Sequence, residues 1–419
     1  MNDIRIIPEE DFDRFFDIFL DAYPGIHSGS ADDRERLKPR FFRRHDDPRV
    51  SLWGVYRDGE LVGGARFFDF DMNLHGTRVL TGGIGCVAVD LLHKREHVAR
   101  DLMQFFGQHY RDRGAPLTLL WSFRPDFYKQ MGYGLGTRIN LYEIKPENFP
   151  KGDSKEHIRF LTKEDIPAIN DCYNRFVDLS HGMIEETVQA REIGWELGGG
   201  VTRWLGYEKD GRILGYLTFR FVKGGHDSFI DNQMHAILAV YESPRVLSQL
   251  LTFLHSQFDQ IGLIKLRTFD DNFHHLLKDP RNSSRNLIPS VYHETHKSGT
   301  GIMYRIVDTQ KLFELLADHN FGWQSCKLKL TTEDSFMPAN NGSLVLHFDG
   351  GKPQLMASDA EHDVELTLNA ADMSSLIMGA IDLKSLYDYN LAVLSDDSYL
   401  DTLHKLFAAD SRPICTTDF

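Results

Sequence analysis

Cysteine pairs, long apolar runs and an excess of basic residues are all missing from this 419-residue sequence. The four cysteines contain no CxxC pair, which argues against a zinc knuckle or a disulfide framework. No apolar run approaches the roughly 18 residues that a membrane-spanning helix needs. The N-terminus has no basic segment leading into an apolar stretch, so we expect no signal peptide. These absences predict a cytoplasmic protein without a membrane span.

The chain carries 61 acidic residues against 47 basic ones, which gives a formal net charge of -14. A nucleic-acid binder needs a basic face to displace counterions, so this balance argues against a nucleic-acid partner. The balance suits a cationic substrate, although an acidic surface also serves solubility alone. Hydrophobic residues make up 42% of the chain, as in folded globular proteins. At roughly 150 residues per domain, the length predicts about three domains.

Two parts of the sequence resemble each other at a separation of about one domain. Residues 4–12 and 158–166 each read as a short strand, a capping turn and the start of a helix. Farther along, residues 53–63 and 204–215 each place an Asp-Gly turn between two strand-like runs, which predicts a hairpin. The repeat therefore predicts a duplicated domain, with a linker over residues 145–155.

The pattern changes after residue 300. Residues 344–348 and 364–368 alternate like half-buried strands, whereas residues 370–378 and 400–407 space their apolar side chains like helices. This predicts a third, α+β domain that is unlike the first two. The predicted domains are therefore residues 1–150, 151–300 and 301–419.

A strand, a basic loop and a helix follow one another in the first copy. Residues 85–89 form an apolar run, Lys94 and Arg95 lie in the loop, and apolar residues recur at helical spacing from Val98 onward. The first N–H groups of such a helix point unpaired at the loop, which favours an anion such as pyrophosphate. From spacing alone, an ordinary connection with solvated charges remains the alternative.

Residues 127–133, Phe-Tyr-Lys-Gln-Met-Gly-Tyr, follow another strand-like run at residues 117–121. With the hairpin after Trp53, the apolar strand and the basic loop, this segment resembles the GNAT family of acetyl-CoA-dependent N-acetyltransferases. One position departs from the family pattern, because His97 stands where the loop usually has glycine. Its Cβ restricts how closely a pyrophosphate can approach.

The order of the domains along the whole chain resembles the Eis (enhanced intracellular survival) family. The resemblance implies a mixed α+β fold of two GNAT-like domains, with mixed sheets flanked by helices, and a C-terminal sterol-carrier-protein-like domain. It implies one coenzyme site per chain, because in the second copy the strand at residues 236–240 runs directly into Ser243 and Pro244. It also implies a homo-hexamer and a cationic amine acceptor, such as an aminoglycoside, another polyamine or lysine.

The resemblance also assigns roles to individual residues. Tyr128 would be the general acid, since a phenol with an ordinary pKa of about 10 can protonate a leaving thiolate. The terminal carboxylate of Phe419 would reach the active site as the base, and Asp418 would help to bind the acceptor. Without the resemblance, a frayed terminus and a solvated acid are the alternatives. The implied acetyl-CoA-binding residues are Val87, Ala88, Val89, Arg95, Glu96, His97, Val98, Ala99, Arg100, Phe123 and Arg124.

Two rival interpretations concern a metal and a carrier. Residues 93–97 fit the H-x-x-E-H zinc signature, but that motif needs both histidines on one helical face, and we expect His93 to precede the helix. We therefore predict no metal. The third domain could instead bind a lipid or another apolar ligand, or the chain could be structural, without catalysis. A carrier has no use for a terminus that returns to another domain, so the position of Phe419 discriminates between these functions.

Overall fold

The computed structural model describes residues 3–26, 31–225, 232–288 and 292–419. The chain divides into two compact units. The first contains the chain through Thr137, together with His181–Ile184 and Gly301–Phe419, and the second contains Arg138–Ser180 and Glu185–Thr300. No helix in the described ranges is both long enough and apolar enough to cross a bilayer.

The longest strands are β3 and β4, which follow each other directly in the first part of the chain. In chain order they are β1 Asp3–Ile6, β2 Val50–Arg57, β3 Glu60–Leu74, β4 Thr77–Val89, β5 Leu117–Trp121, β6 Gly134–Leu135, β7 Arg138–Ile144, β8 Ile158–Phe160, β9 Arg203–Lys209, β10 Arg212–Lys223, β11 Asn232–Tyr241, β12 Leu263–Thr268, β13 Leu287–Ile288, β14 Tyr292–His293, β15 Lys297–Thr300, β16 Ile302–Ile306, β17 Cys326–Glu333, β18 Gly342–Asp349, β19 Lys352–Leu355, β20 Val364–Asn369 and β21 Ala392–Leu394.

The helices are amphipathic where they cover a sheet. In chain order they are α1 Phe12–Ala22, α2 Ala31–Arg43, α3 Val98–Asp112, α4 Pro125–Lys129, α5 Ile166–Asp178, α6 Val188–Leu197, α7 Pro244–His255, α8 Thr309–Leu315, α9 Ala370–Ile377, α10 Leu383–Asp388 and α11 Leu400–Leu406.

The first unit is built on a seven-stranded sheet in the order β1-β2-β3-β4-β5-β16-β6. Its β4–β5 pair is parallel, and its other pairs are antiparallel. The predicted first hairpin is confirmed, because β2 and β3 meet at Asp58 and Gly59, which both have a positive φ. The buried side of α3 packs into the same core cluster as Phe67 and Ile84 of the sheet.

The second unit holds another seven-stranded sheet, in the order β15-β7-β12-β11-β10-β9-β8. Its predicted hairpin is also confirmed, with Asp210 and Gly211 at the turn between β9 and β10. After β11, Ser243 accepts a hydrogen bond from the Val246 N–H and caps α7, as the sequence predicts. Pro244 occupies the first turn of that helix, where its missing N–H costs nothing.

The C-terminal part of the first unit adds a five-stranded sheet in the order β19-β18-β17-β20-β21. The predicted strands at residues 344–348 and 364–368 lie within β18 and β20, and the predicted helices correspond to α9 and α11. The mixed α+β fold predicted from the sequence is confirmed.

Two strands near the predicted domain boundaries pair with strands on the other side of the boundary. The strand β7 precedes residue 150 but pairs with β12 and β15 in the second unit. The strand β16 follows residue 300 but pairs with β5 and β6 in the first unit. The boundaries at residues 150 and 300 stay predictions, and the compact units are discontinuous in sequence.

A four-residue segment, His181–Ile184, belongs to the first unit, although the chain on both sides of it belongs to the second. Its Gly182 N–H donates to the Asn73 carbonyl at 2.8 Å, and the Asn73 N–H donates to the Met183 carbonyl at 2.9 Å. The imidazole of His181 stacks on His75 with ring centroids 3.9 Å apart, and His75 stacks on His319 at 4.8 Å. These contacts tie the β3–β4 turn to the C-terminal region.

The stacked histidines predict a loss of stability in acid. Burial lowers the pKa of His181 to about 4, and burial together with the neighbouring His181 lowers the pKa of His75 well below its ordinary value. Native His181 therefore stays neutral while the unfolded chain gains protons below about pH 6.5. Its stabilising contribution is complete above that pH and is lost as the pH falls toward 4. We expect the free energy of unfolding to drop by about 2–3 kcal/mol between pH 7 and pH 4.5.

Urea unfolding at the two pH values measures this loss. The control is His181→Gln, which removes the titrating ring and should therefore show a shallower dependence on pH. An equal pH dependence in the two proteins would contradict the assignment to His181.

Candidate active site

The strand β4 separates from its parallel neighbour β5 in mid-course. The two strands pair from Thr81 with Leu117 to Ile84 with Leu120, and β4 then continues to Val89. Its register with β3 shifts beyond Gly85, where Cys86 has a φ of 53°. A bulge at this point turns the end of β4 away from β5 and frees backbone groups for another partner.

A cavity of about 740 Å³ lies beside this gap. Its wall contains ten residues that the sequence assigns to the site: Val87, Val89, Arg95, His97, Val98, Ala99, Arg100, Phe123, Arg124 and Tyr128. The structure therefore brings the strand, the loop, the helix start and the tyrosine to one place.

Two of the predicted coenzyme-binding residues have side chains that are engaged elsewhere. Ala88 is buried and packs into the core cluster around α1. The Glu96 carboxylate forms an ion pair with Arg57 and lies 2.9 Å from Nδ1 of His93. His93 itself lies in a 3-10 turn before α3, as predicted. Neither Ala88 nor Glu96 is among the described residues that line the cavity, so their assignment stays a prediction.

The loop before α3 has an unusual backbone. Arg95 and His97 have φ values of 66° and 64°, in the left-handed region that favours glycine. This backbone fits the glycine that the family resemblance implies at position 97. The α3 N-terminus, with Arg95 and Arg100 in the cavity wall, offers unpaired N–H groups and positive charge to an anion.

Substitutions at His97 should separate backbone strain from side-chain effects. We expect His97→Val to lower the free energy of unfolding by about 1–2 kcal/mol, because a β-branched residue is strained at this φ. His97→Gly should change it by less than about 1 kcal/mol, because relief of strain offsets added freedom in the unfolded chain. Urea unfolding of both variants checks this, and equal effects would contradict it.

Tyr128 lies on the short helix α4 and is only 3% exposed. Its ring meets Phe123 and Tyr133 edge to face, with centroids 6.3 and 6.0 Å away. Burial, and then the nearby Tyr133, raise the pKa of Tyr128 well above its ordinary value. The phenol is therefore protonated at neutral pH, as an ordinary phenol is.

The carboxyl group of Phe419 lies beside β4. Its carbon and an oxygen are 3.3 Å from the point that a Cβ on Gly85 would occupy. The Phe419 ring contacts Phe68 and Phe70, with centroids 5.3 and 5.1 Å away. Trp121 donates from Nε1 to the Thr417 carbonyl at 3.1 Å. The terminus is thus held near the bulge rather than frayed.

The preceding tail residues rest on the His181–Ile184 segment. The Ile414 N–H donates to the His181 carbonyl at 3.0 Å, and the Thr416 hydroxyl lies 3.7 Å from the Met183 sulfur. Cys415 is fully buried among residues of the first unit. The segment that pairs with β3 therefore also fixes the course of the tail.

Gly85 leaves room for the terminal carboxyl group, and its substitution should displace that group. A methyl group 3.3 Å from the carboxyl atoms is tighter than ordinary contact, and Phe68 closes the other side at 3.4 Å. We expect Gly85→Ala to lower kcat about tenfold or more with little loss of coenzyme A affinity. Steady-state kinetics and calorimetric titration check this, and an unchanged kcat would contradict it.

Family models match three consecutive parts of the chain. Residues 3–136 and 184–306 match two models of an acetyltransferase (GNAT) domain, and residues 314–416 match a sterol carrier protein domain. The chain is a GNAT-type N-acetyltransferase. Its domain order is Eis-like, as the sequence predicts.

Solved structures share the fold of this acetyltransferase along its full length. A GCN5-related N-acetyltransferase from Anabaena variabilis has a TM-score of 0.79 at 16% identity, and a probable N-acyltransferase from Enterococcus faecalis has 0.79 at 19%. Eis1 from Mycobacterium abscessus has 0.77 at 17%. Each of these alignments covers 100% of both chains. No curated protein sequence matched the chain.

The acetyltransferase also places two residues near the bulge that the sequence did not indicate. The Tyr23 hydroxyl, just after α1, donates to the Val87 carbonyl at 3.0 Å. Arg66 is 3% exposed, donates to the Phe41 carbonyl at 2.8 Å and points Nη1 at the Cys86 sulfur at 3.7 Å. Neither residue belongs to a motif. A tyrosine at a helix end and an arginine in a strand occur in many proteins, so neither position gives a signal in the sequence.

The cavity wall includes further residues outside the predicted set. His93, Lys94, Phe127, Gln130 and Met131 are neighbours of the predicted residues and could have been inferred from the same motifs. Ser335 and Phe336 come from the C-terminal region of the acetyltransferase. No local signal links them to the end of β4, which lies roughly 250 residues earlier, so only the fold shows that they are neighbours.

Proposed function

We propose that the enzyme transfers the acetyl group of acetyl-CoA to a primary amine of a cationic acceptor by direct attack. When bound, acetyl-CoA supplies the acetyl group as a thioester. The bulged end of β4 would present backbone groups to the pantetheine arm, and Arg95 and Arg100 at the start of α3 would hold the pyrophosphate. The residues present fit this molecule, since the wall combines an apolar strand with a basic helix start.

In the proposed mechanism, Tyr128 gives its proton to the leaving sulfur and the carboxylate of Phe419 takes one from the amine. The position of Tyr128 in the cavity wall supports the first role, because its phenol is protonated at neutral pH. The observation that carries the proposal is the position of the Phe419 carboxyl group against Gly85. Gly85 lies beside the bulge, just where β4 stops pairing with β5. The same position favours an enzyme over an apolar-ligand carrier without catalysis.

The acceptor is proposed from charge and from the resemblance. The net charge of -14 and the terminal carboxylate favour a cationic amine, such as an aminoglycoside, another polyamine or a lysine side chain. Asp418 would contribute a further negative charge. We also propose a homo-hexamer in the cytoplasm, which light scattering after size-exclusion chromatography and cell fractionation would check.

A second class of acceptor has support from two arginines. Arg44 donates to the Asp418 carbonyl at 3.3 Å, and Arg66 is buried beside Cys86. Burial lowers the pKa of Arg66, which reflects the cost of a guanidinium held away from water. These charges favour an amine that also carries a carboxylate, such as an amino acid.

A coenzyme A release assay over both classes of amine tests the proposal. Fast turnover of polyamines, and slow turnover of neutral amines, would support a cationic acceptor. Faster turnover of amino acids than of polyamines would favour the second class. No turnover with any amine, in a protein that binds coenzyme A, would overturn the proposed acetyl transfer to amines.

A further inference from the structure

The C-terminal region contributes to the wall of the cavity in the acetyltransferase fold. The loop Asp334–Met337 follows β17, and its Ser335 and Phe336 line the cavity together with Gln130 and Met131. Ser335 is exposed, whereas Phe336 is 5% exposed. The cavity is therefore not formed by the first acetyltransferase domain alone.

A buried ion pair fixes this loop. The carboxylate of Asp334 receives a hydrogen bond from Arg305 of β16 at 2.6 Å, and both side chains are 1% exposed. The same guanidinium donates to the Met131 carbonyl, at the end of the segment that carries Tyr128. Because an unpaired buried charge is costly, the pair holds the loop and the tyrosine segment together.

Hydrogen bonds also fix the loop against α3. Gln104 donates from Nε2 to the Phe336 carbonyl at 2.9 Å. The N–H groups of Phe336 and Met337 donate to Asp334 Oδ1 at 3.1 and 2.8 Å. Gln104 lies about two helical turns beyond His97, so the loop meets α3 well past its anion-binding end.

We propose that Ser335 and Phe336 bind the adenosine 3′,5′-bisphosphate half of coenzyme A. This inference rests on the proposed function, which puts the pantetheine arm along Val87 and Val89 and the pyrophosphate at the start of α3. The part of the cavity that Gln130, Met131, Ser335 and Phe336 line is then left for the nucleotide. The apolar edge of the buried Phe336 and the exposed Ser335 hydroxyl suit a purine and a ribose, which present an apolar face and polar edges.

The sterol carrier region thereby becomes part of the coenzyme site. That region has a task beyond any apolar ligand of its own, because the coenzyme nucleotide would lie against its loop. The Arg305–Asp334 pair is then a positioning element for the nucleotide, since the pair holds the backbone on which Ser335 and Phe336 lie.

Calorimetric titration of the full chain with coenzyme A and with adenosine 3′,5′-bisphosphate tests the proposal. The variant is Ser335→Trp, which fills the cavity from an exposed position and so should spare the fold. Its matched control is Ala339→Trp, which adds the same ring at an exposed position four residues farther along the chain. We expect Ser335→Trp to weaken both ligands about tenfold or more and Ala339→Trp to leave both within about twofold.

The outcomes distinguish a failure of the nucleotide contact from a failure of the proposed acetyl transfer. Equal affinities in Ser335→Trp and the unaltered protein would overturn the nucleotide contact, as would equal losses in both tryptophan variants. Binding of coenzyme A without binding of the bisphosphate to the unaltered protein would also overturn it. An unaltered protein that binds neither ligand would instead overturn the proposed function. Thermal unfolding of each variant verifies that the fold is kept.

Discussion

Deleting Phe419 is expected to lower kcat for acetyl transfer by about 100-fold or more while leaving coenzyme A affinity within about twofold. The reason is that the carboxyl group beside Gly85 moves or disappears, whereas the cavity wall contains no residue of the tail. The new terminal carboxylate on Asp418 would lack the ring that packs against Phe68 and Phe70, so the contact that anchors the terminus is lost.

A C-terminal extension gives the matching test without removing any side chain. A short tag after Phe419 turns the carboxylate into a neutral amide, and kcat should fall as it does in the deletion. The same tag at the N-terminus is the control and should leave kcat unchanged. Coenzyme A release and calorimetric titration measure the two effects, and full turnover by the C-terminally tagged enzyme would remove Phe419 from the mechanism.

Tyr128→Phe should lower kcat by about 100-fold or more at unchanged coenzyme A affinity. The substitution removes only the hydroxyl group, and the ring contacts with Phe123 and Tyr133 stay possible. In the proposed mechanism, the leaving sulfur would then have to take its proton from water. Steady-state kinetics with a saturating amine measures the change.

Tyr133→Phe is the matched control for this experiment. Tyr133 is a buried phenol in contact with Tyr128, and its hydroxyl lies 3.2 Å from that of Thr118. Its removal should cost about 1 kcal/mol of stability and leave kcat within about threefold. Comparable losses of kcat in both variants would point to disturbed packing rather than proton donation by Tyr128.

The parts of the fold that the sequence predicts correctly are those set by local rules. The Asp-Gly turns at Asp58 and Asp210, the apolar end of β4 and the capped start of α7 depend on a few neighbouring residues. The backbone at His97 is left-handed, which agrees with the glycine that the family resemblance implies at this position. Short-range sterics and periodicity decide such features, so a single sequence shows them.

The parts that the sequence does not show depend on contacts between distant segments. The pairing of β16 with β5, the return of His181–Ile184 to β3 and the approach of Ser335 to the cavity all join residues far apart in the chain. The sequence does not indicate Tyr23 for the same reason, because its hydrogen bond to Val87 exists only when α1 lies over the sheet. No local pattern encodes such pairs.

The strand β16 lies far along the sequence from its partner β5, and this separation affects how fragments of the chain fold. Until Ile302–Ile306 leaves the ribosome, β5 has an open edge on the side that β16 later covers. A nascent or recombinant fragment that stops near residue 150 would keep that edge bare and invite strand addition from other copies. Expression of the first acetyltransferase domain by itself should therefore yield aggregates, whereas co-expression with the remainder of the polypeptide offers the missing strand in trans.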